Sequence, residues 1–191
     1  MSLVSDVALN VDPAGQVKEP VSQVPDATNL LQSKGRLSKA QSRINRNGLT
    51  DGTVAPGFSL PGLAGRSVSL EEFRGRRILL VFSDPNCGPC NLLAPRLEGL
   101  SRRTPDIQVI MVSRGDPEAN KAKATEHNLT FPVLLQRRWE VSLLYAMFAT
   151  PIAYYIDQEG VIRGNIAVGA EQILRLLVAA AIKSLLETIP Q

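Results

Sequence analysis

The sequence predicts an α/β domain: a central mixed β-sheet with helices on both faces, an N-terminal hairpin and an inserted helix-strand element. Three observations carry this. Ile78-Leu79-Leu80-Val81-Phe82 is a continuous apolar run, as in strands buried on both faces, and Ile107 to Val112 is expected as a second buried strand. Helix-like segments separate the strand-like ones, an alternation that covers both faces of a sheet. The chain then closes with two strand-like pieces around Asp157-Gln158-Glu159-Gly160 and a long helix rich in Ala and Leu.

The compact domain is expected over residues 54–191, behind an N-terminal tail, 1–53. Pro13, Pro20 and Pro25 punctuate that tail, and its first part has no sustained period. Asn29 to Asn47 repeats Leu30, Leu37, Ala40 and Ile44 at helical spacing and is expected to form a short connector helix. In the domain, Phe58-Ser59-Leu60 and Ser67-Val68-Ser69 flank a Gly-containing turn and predict a hairpin. The strand Ile78 to Phe82 leads into a helix from Gly88 to Ser101. After the strand Ile107 to Val112 comes a polar helix, Asp116 to Asn128, with Pro117 suited to its first turn. Phe131 to Leu135 is expected as a short strand and Trp139 to Phe148 as a short helix. Strands Ile152 to Ile156 and Val161 to Arg163 and a closing helix, Ala170 to Thr188, complete the set.

Composition narrows the function. The net charge is only +3, and Arg76-Arg77, Arg102-Arg103 and Arg137-Arg138 are scattered among acids, so no nucleic-acid partner is expected. The longest apolar run near the end, Leu176 to Ile182, is far shorter than the roughly 18 residues that a membrane span needs. No charged-then-apolar signal segment follows Met1. A cytoplasmic protein, or a soluble domain whose anchor or signal is absent from this chain, both fit.

The chemistry concentrates in Cys87-Gly88-Pro89-Cys90, directly after a buried strand and at the start of a helix. A helix N-terminus offers unpaired N–H groups and partial positive charge, which favour a thiolate, the nucleophile of disulfide exchange. Two residues between the cysteines let the sulfurs bond with little rearrangement. Gly88 permits close backbone approach, and Pro89 suits a first turn. A purely structural disulfide is weakly motivated, because closing so small a loop yields only about 2 kcal/mol. A structural zinc site needs four ligands, whereas the chain holds two Cys and one His, His127, which reads as a surface residue. Neither a metal site nor a cofactor is expected. Thr150-Pro151 precedes a strand; from the residues alone its peptide bond is expected to be trans.

These residues resemble the thioredoxin superfamily. The match rests on Cys87-Gly88-Pro89-Cys90, on Pro95 five residues later in the same helix, and on Thr150-Pro151 followed by a strand and Asp157…Gly160. Ala55-Pro56-Gly57-Phe58-Ser59-Leu60-Pro61, Ser69 to Gly75, Phe82 to Cys87 and the material between Asp116 and Leu135 resemble the redoxin or TlpA/ResA type, MauD-like proteins included. The resemblance implies a thioredoxin-like fold, a cis Thr150-Pro151 beside the cysteines and an extended substrate bound by the Thr150 backbone. It further implies a helix kinked at Pro95 and an extracytoplasmic domain tethered by an upstream membrane helix. Three positions depart from the pattern. Val81 stands where thioredoxins bury an Asp, Asn86 where a Trp precedes the motif, and Leu93 where ResA-like proteins place a Glu. Asp84 and Glu98 are the remaining carboxylates that could move a proton.

The expected function is thiol-disulfide oxidoreduction. Cys87 attacks and Cys90 resolves, in the reducing direction, with a protein disulfide as substrate and an upstream thiol as electron donor. A peroxiredoxin-like peroxidase is the first alternative, although Leu80 and Asp84 break its Pro-x-x-x-Thr/Ser-x-x-Cys pattern. A dithiol metallochaperone for a soft metal is the second.

Overall fold

The computed structural model describes residues 47–188. Nearly all of the expected connector helix therefore lies outside the described residues.

A short hairpin opens the domain, β1 (Ser59–Pro61) and β2 (Ser67–Ser69), with Leu60 opposite Val68. A 3-10 turn, Leu70–Phe73, leads into β3 (Arg77–Ser83), α1 (Gly88–Ser101) and β4 (Ile107–Arg114). Then come α2 (Pro117–Glu126), β5 (Val133–Gln136), α3 (Glu140–Leu144), β6 (Ile152–Ile156), β7 (Ala167–Val168) and α4 (Ala170–Thr188). The main sheet has the order β5-β4-β3-β6-β7. Strands β3, β4 and β5 run parallel, while β6 lies antiparallel to β3 and β7 antiparallel to β6.

Alternation along β3 divides the core. Leu79 and Val81 join Leu93 and Leu97 of α1 and Ile173, Leu174 and Leu177 of α4. Ile78, Leu80 and Phe82 face the other way, onto Phe58 and Leu60 of the hairpin and Val141 and Tyr145 at α3. The sheet is covered on both faces, as the apolar runs require. Its central strand, β3, ends at Ser83, so the loop to α1 emerges at the carboxyl edge of the parallel strands.

Four boundaries differ from expectation. Val161 to Arg163 form no strand: only the single bridges Val54–Val161 and Ile156–Ile162 occur, and the pairing on β6 comes from Ala167–Val168. Gly160 and Gly164 bracket those residues at positive φ, +80° and +77°, and Asp157 Oδ1 captures the Val161 N–H at 2.8 Å, which makes a turn of them. Helix α3 stops at Leu144 because Ala146 adopts φ +53°, well short of Phe148. Helix α2 likewise ends before Asn128, at φ +50°. Strand β5 begins at Val133, since Pro132 has no N–H to give, although its carbonyl accepts from Met111 at 2.9 Å.

Candidate active site

Cys87 is the N-cap of α1, with an extended backbone (φ −93°, ψ 112°), and Pro89 sits in the first turn. Its Sγ accepts the Cys90 N–H at 3.3 Å, which satisfies one otherwise unpaired donor of the helix. Cys87 and Cys90 are joined as a disulfide, with Cα atoms 5.2 Å apart. The two cysteines differ in access: Cys87 is half-buried and Cys90 is 0% exposed. Gly88 and Pro89 are exposed, so the turn between the sulfurs faces solvent.

Facing this turn is the segment before β6. The Thr150-Pro151 bond is cis, as the family resemblance implies and against the trans form expected from the residues alone. The Thr150 carbonyl oxygen lies 3.6 Å from Cys87 Sγ. Pro151 is buried and Thr150 half-buried. Chain positions 63 residues apart thus meet at one sulfur.

The loop into the motif is held by its own atoms. Asp84 Oδ1 accepts the Asn86 N–H at 2.8 Å and the Asp84 carbonyl accepts the Cys87 N–H at 3.2 Å. Asn86 is exposed and contributes its backbone here. Asn91 Nδ2 donates to the Pro85 carbonyl at 3.1 Å and ties the loop to the first turns of α1. Pro95 is on the exposed side of that helix and removes the donor that would reach the Asn91 carbonyl.

Of the two carboxylates considered for proton transfer, Glu98 is committed elsewhere. It lies eight residues beyond Cys90, about 12 Å along a helix. It accepts from Arg102 Nε at 2.5 Å, from the Thr130 N–H at 2.9 Å and from the Thr130 hydroxyl at 2.8 Å. Burial pushes its pKa up, but these bonds outweigh burial and hold it below the usual value. Asp84, in contrast, stands at the motif. Val81 and Leu93 are fully buried in the same apolar cluster, so neither presents an acid to the cysteines.

One group escaped the sequence reading. Arg114 Nη2 pairs with Asp84 Oδ2 at 2.8 Å, and its guanidinium stacks on Trp139 at 4.3 Å. Trp139 packs edge-on against Phe148, with ring centroids 5.6 Å apart. Lys123 reaches in from α2 and donates to Ser83 Oγ at 3.3 Å. Its signal in the sequence was faint, because a lysine in a polar helix looks like solvated surface. Among the described residues no three His, Cys, Asp or Glu side chains gather as a metal set, and no helix is long and apolar enough to cross a membrane.

A two-cysteine turn capping a helix, opposed by a cis-proline on a mixed five-stranded sheet, defines a thioredoxin-like redox domain. Residues 52–165 match the AhpC/TSA family, and the chain belongs to that family. It is 28% identical over 137 residues to the thiol-disulfide oxidoreductase ResA of Geobacillus thermodenitrificans, covering 70% of this chain and 79% of that one. It is 31% identical over 149 residues to the methylamine utilization protein MauD of Paracoccus versutus, covering 76% and 73%. The fold is that of the thioredoxin domain of thiol-disulfide oxidoreductase BVU-2223 from Bacteroides vulgatus. The TM-score is 0.63 at 23% identity, over 70% of this chain and 99% of that one. The chain is a thiol-disulfide oxidoreductase with a thioredoxin-like fold.

Proposed function

We propose that the protein reduces protein disulfides, with Cys87 as the attacking thiol and Cys90 as the resolving one. The observation that carries this is the asymmetry at the helix N-cap. Cys87 is half-buried and its Sγ receives the Cys90 N–H at 3.3 Å and lies against the Thr150 carbonyl, whereas Cys90 is 0% exposed. In the reduced protein the Cys87 thiolate attacks one sulfur of the partner disulfide and expels the other as a thiolate. Cys90 then attacks Cys87 of the mixed disulfide, releases the partner as a dithiol and leaves the Cys87-Cys90 disulfide. An upstream thiol donor returns two electrons to close the cycle. The Thr150 backbone next to Cys87 supports a partner segment bound in extended form.

The reducing direction rests on Gly-Pro between the cysteines, which resembles reducing members of the superfamily. The family resemblance also supports work outside the cytoplasm beneath a membrane tether. Insulin reduction with dithiothreitol as donor tests the activity: the wild type should turn over, and Cys87→Ser and Cys90→Ser should each lose at least about 100-fold. Turnover by Cys87→Ser near the wild-type rate would remove Cys87 from its role. Disulfide formation in a reduced substrate, with no insulin reduction, would reverse the direction.

A further inference from the structure

Three charged side chains meet beneath the loop that presents Cys87, and the exchange steps above use none of them. Asp84 is 6% exposed and stands three residues before Cys87. Its carboxylate is shared between the Asn86 N–H, at 2.8 Å, and Arg114, also at 2.8 Å, and its carbonyl holds the Cys87 N–H. Lys123, 7% exposed, bonds the neighbouring Ser83 hydroxyl and lies within the electrostatic reach of Asp84. Burial pushes the Lys123 ammonium down to about 8, and the Asp84 charge opposes that fall. Asp84 and Lys123, so little exposed, are weakly screened by solvent and salt, whereas the Arg114 side chain is 39% exposed and screened more.

We propose that Asp84, balanced by Arg114 from β4 and Lys123 from α2, is a positioning residue that sets the redox poise of the Cys87-Cys90 pair. This rests on the reading of Cys87 as the attacking thiol. A carboxylate one short loop from Cys87 opposes the thiolate that the helix N-terminus favours, and the two cations offset it. Whatever stabilises the thiolate stabilises the reduced protein and makes the disulfide easier to reduce. The Asp84 carbonyl holds the Cys87 N–H whichever side chain the residue carries, and an amide at this position can still accept the Asn86 N–H, so charge and position separate experimentally.

The test is the equilibrium in which the disulfide and two glutathione molecules yield the dithiol and glutathione disulfide. Asp84→Asn keeps an acceptor for the Asn86 N–H but deletes the negative charge. Its equilibrium constant should move toward the dithiol by about tenfold, roughly 30 mV, and Cys87 should alkylate at lower pH. Lys123→Met should move the constant severalfold the other way and shift Cys87 alkylation to higher pH. A constant within twofold of wild type in either variant, or a shift of the opposite sign, overturns the proposal. Should Asp84→Asn fail to fold, Lys123→Met decides alone. Failure of the underlying reading looks different: the wild type itself would then not exchange with glutathione, or would exchange through Cys90.

Discussion

Cys87 and Cys90 share a motif but not an environment. Cys87 meets solvent and a helix N-terminus, while Cys90 lies fully buried one turn inward. In the reduced protein, alkylation followed against pH should label Cys87 at lower pH than Cys90, with Cys87 below the unperturbed thiol value of about 8.5. Preferential labelling of Cys90 at low pH would exchange their roles. The motif was legible in the sequence because its residue types and its place at a strand-helix junction both follow from thiolate chemistry. Lys123 was not, because α2 buries polar residues, Asn120 and Lys123, where periodic apolar ones would have marked an inner face. Val81 differs in the other direction: a fully buried valine stands where the thioredoxin pattern places a buried acid. Val81→Asp should cost at least about 2 kcal/mol of stability and alter the pH profile of insulin reduction; an unchanged profile would mean that a carboxylate there takes no part in proton transfer.

Elements long and regular enough to carry a period were readable, and short ones depended on turns. β3, β4, β6, α1 and α4 lie where the apolar runs and helical spacing put them. The misread pieces, 161–163 and the end of α3, hinge on positive φ at Gly160, Gly164 and Ala146, and an alanine gives no warning of that conformation. Tyr145, just past α3, then does structural work. Its hydroxyl donates to the Pro56 carbonyl at 3.0 Å, and its own carbonyl accepts from the Tyr154 hydroxyl at 2.8 Å. Tyr145→Phe should therefore destabilise the domain by about 1 kcal/mol with insulin reduction intact; equal stability in thermal unfolding would deny that bond any net worth. Glu98 ties α1 to the segment before β5 through Thr130. Its pKa is lowered in the folded protein, so the stabilisation is present above the unfolded value of about 4.3 and fades as pH falls through the folded one. Glu98→Gln should cost about 1–3 kcal/mol at pH 7, a difference that urea titrations should find shrinking below pH ~4.

At the scale of the whole molecule, the two-sided core explains why the site is where it is. β3 is covered by α1 and α4 on one face and by the hairpin and α3 on the other, so its loop to α1 is held at the sheet edge. β6, antiparallel beside β3, brings Thr150-Pro151 to that same edge. The meeting of the two segments is a consequence of strand order, which no local pattern in the sequence states; only the family resemblance carried it. The exchange mechanism requires Cys87 to attack first and Cys90 to resolve. The most direct measurement is covalent trapping of a disulfide-containing protein substrate such as insulin by the reduced single-cysteine variants, read by mass spectrometry with and without reducing agent. Cys90→Ser should accumulate a mixed disulfide through Cys87 that reducing agent releases, because serine cannot displace the partner, while Cys87→Ser should trap at least about tenfold less. Trapping by Cys87→Ser and none by Cys90→Ser would contradict this order of attack.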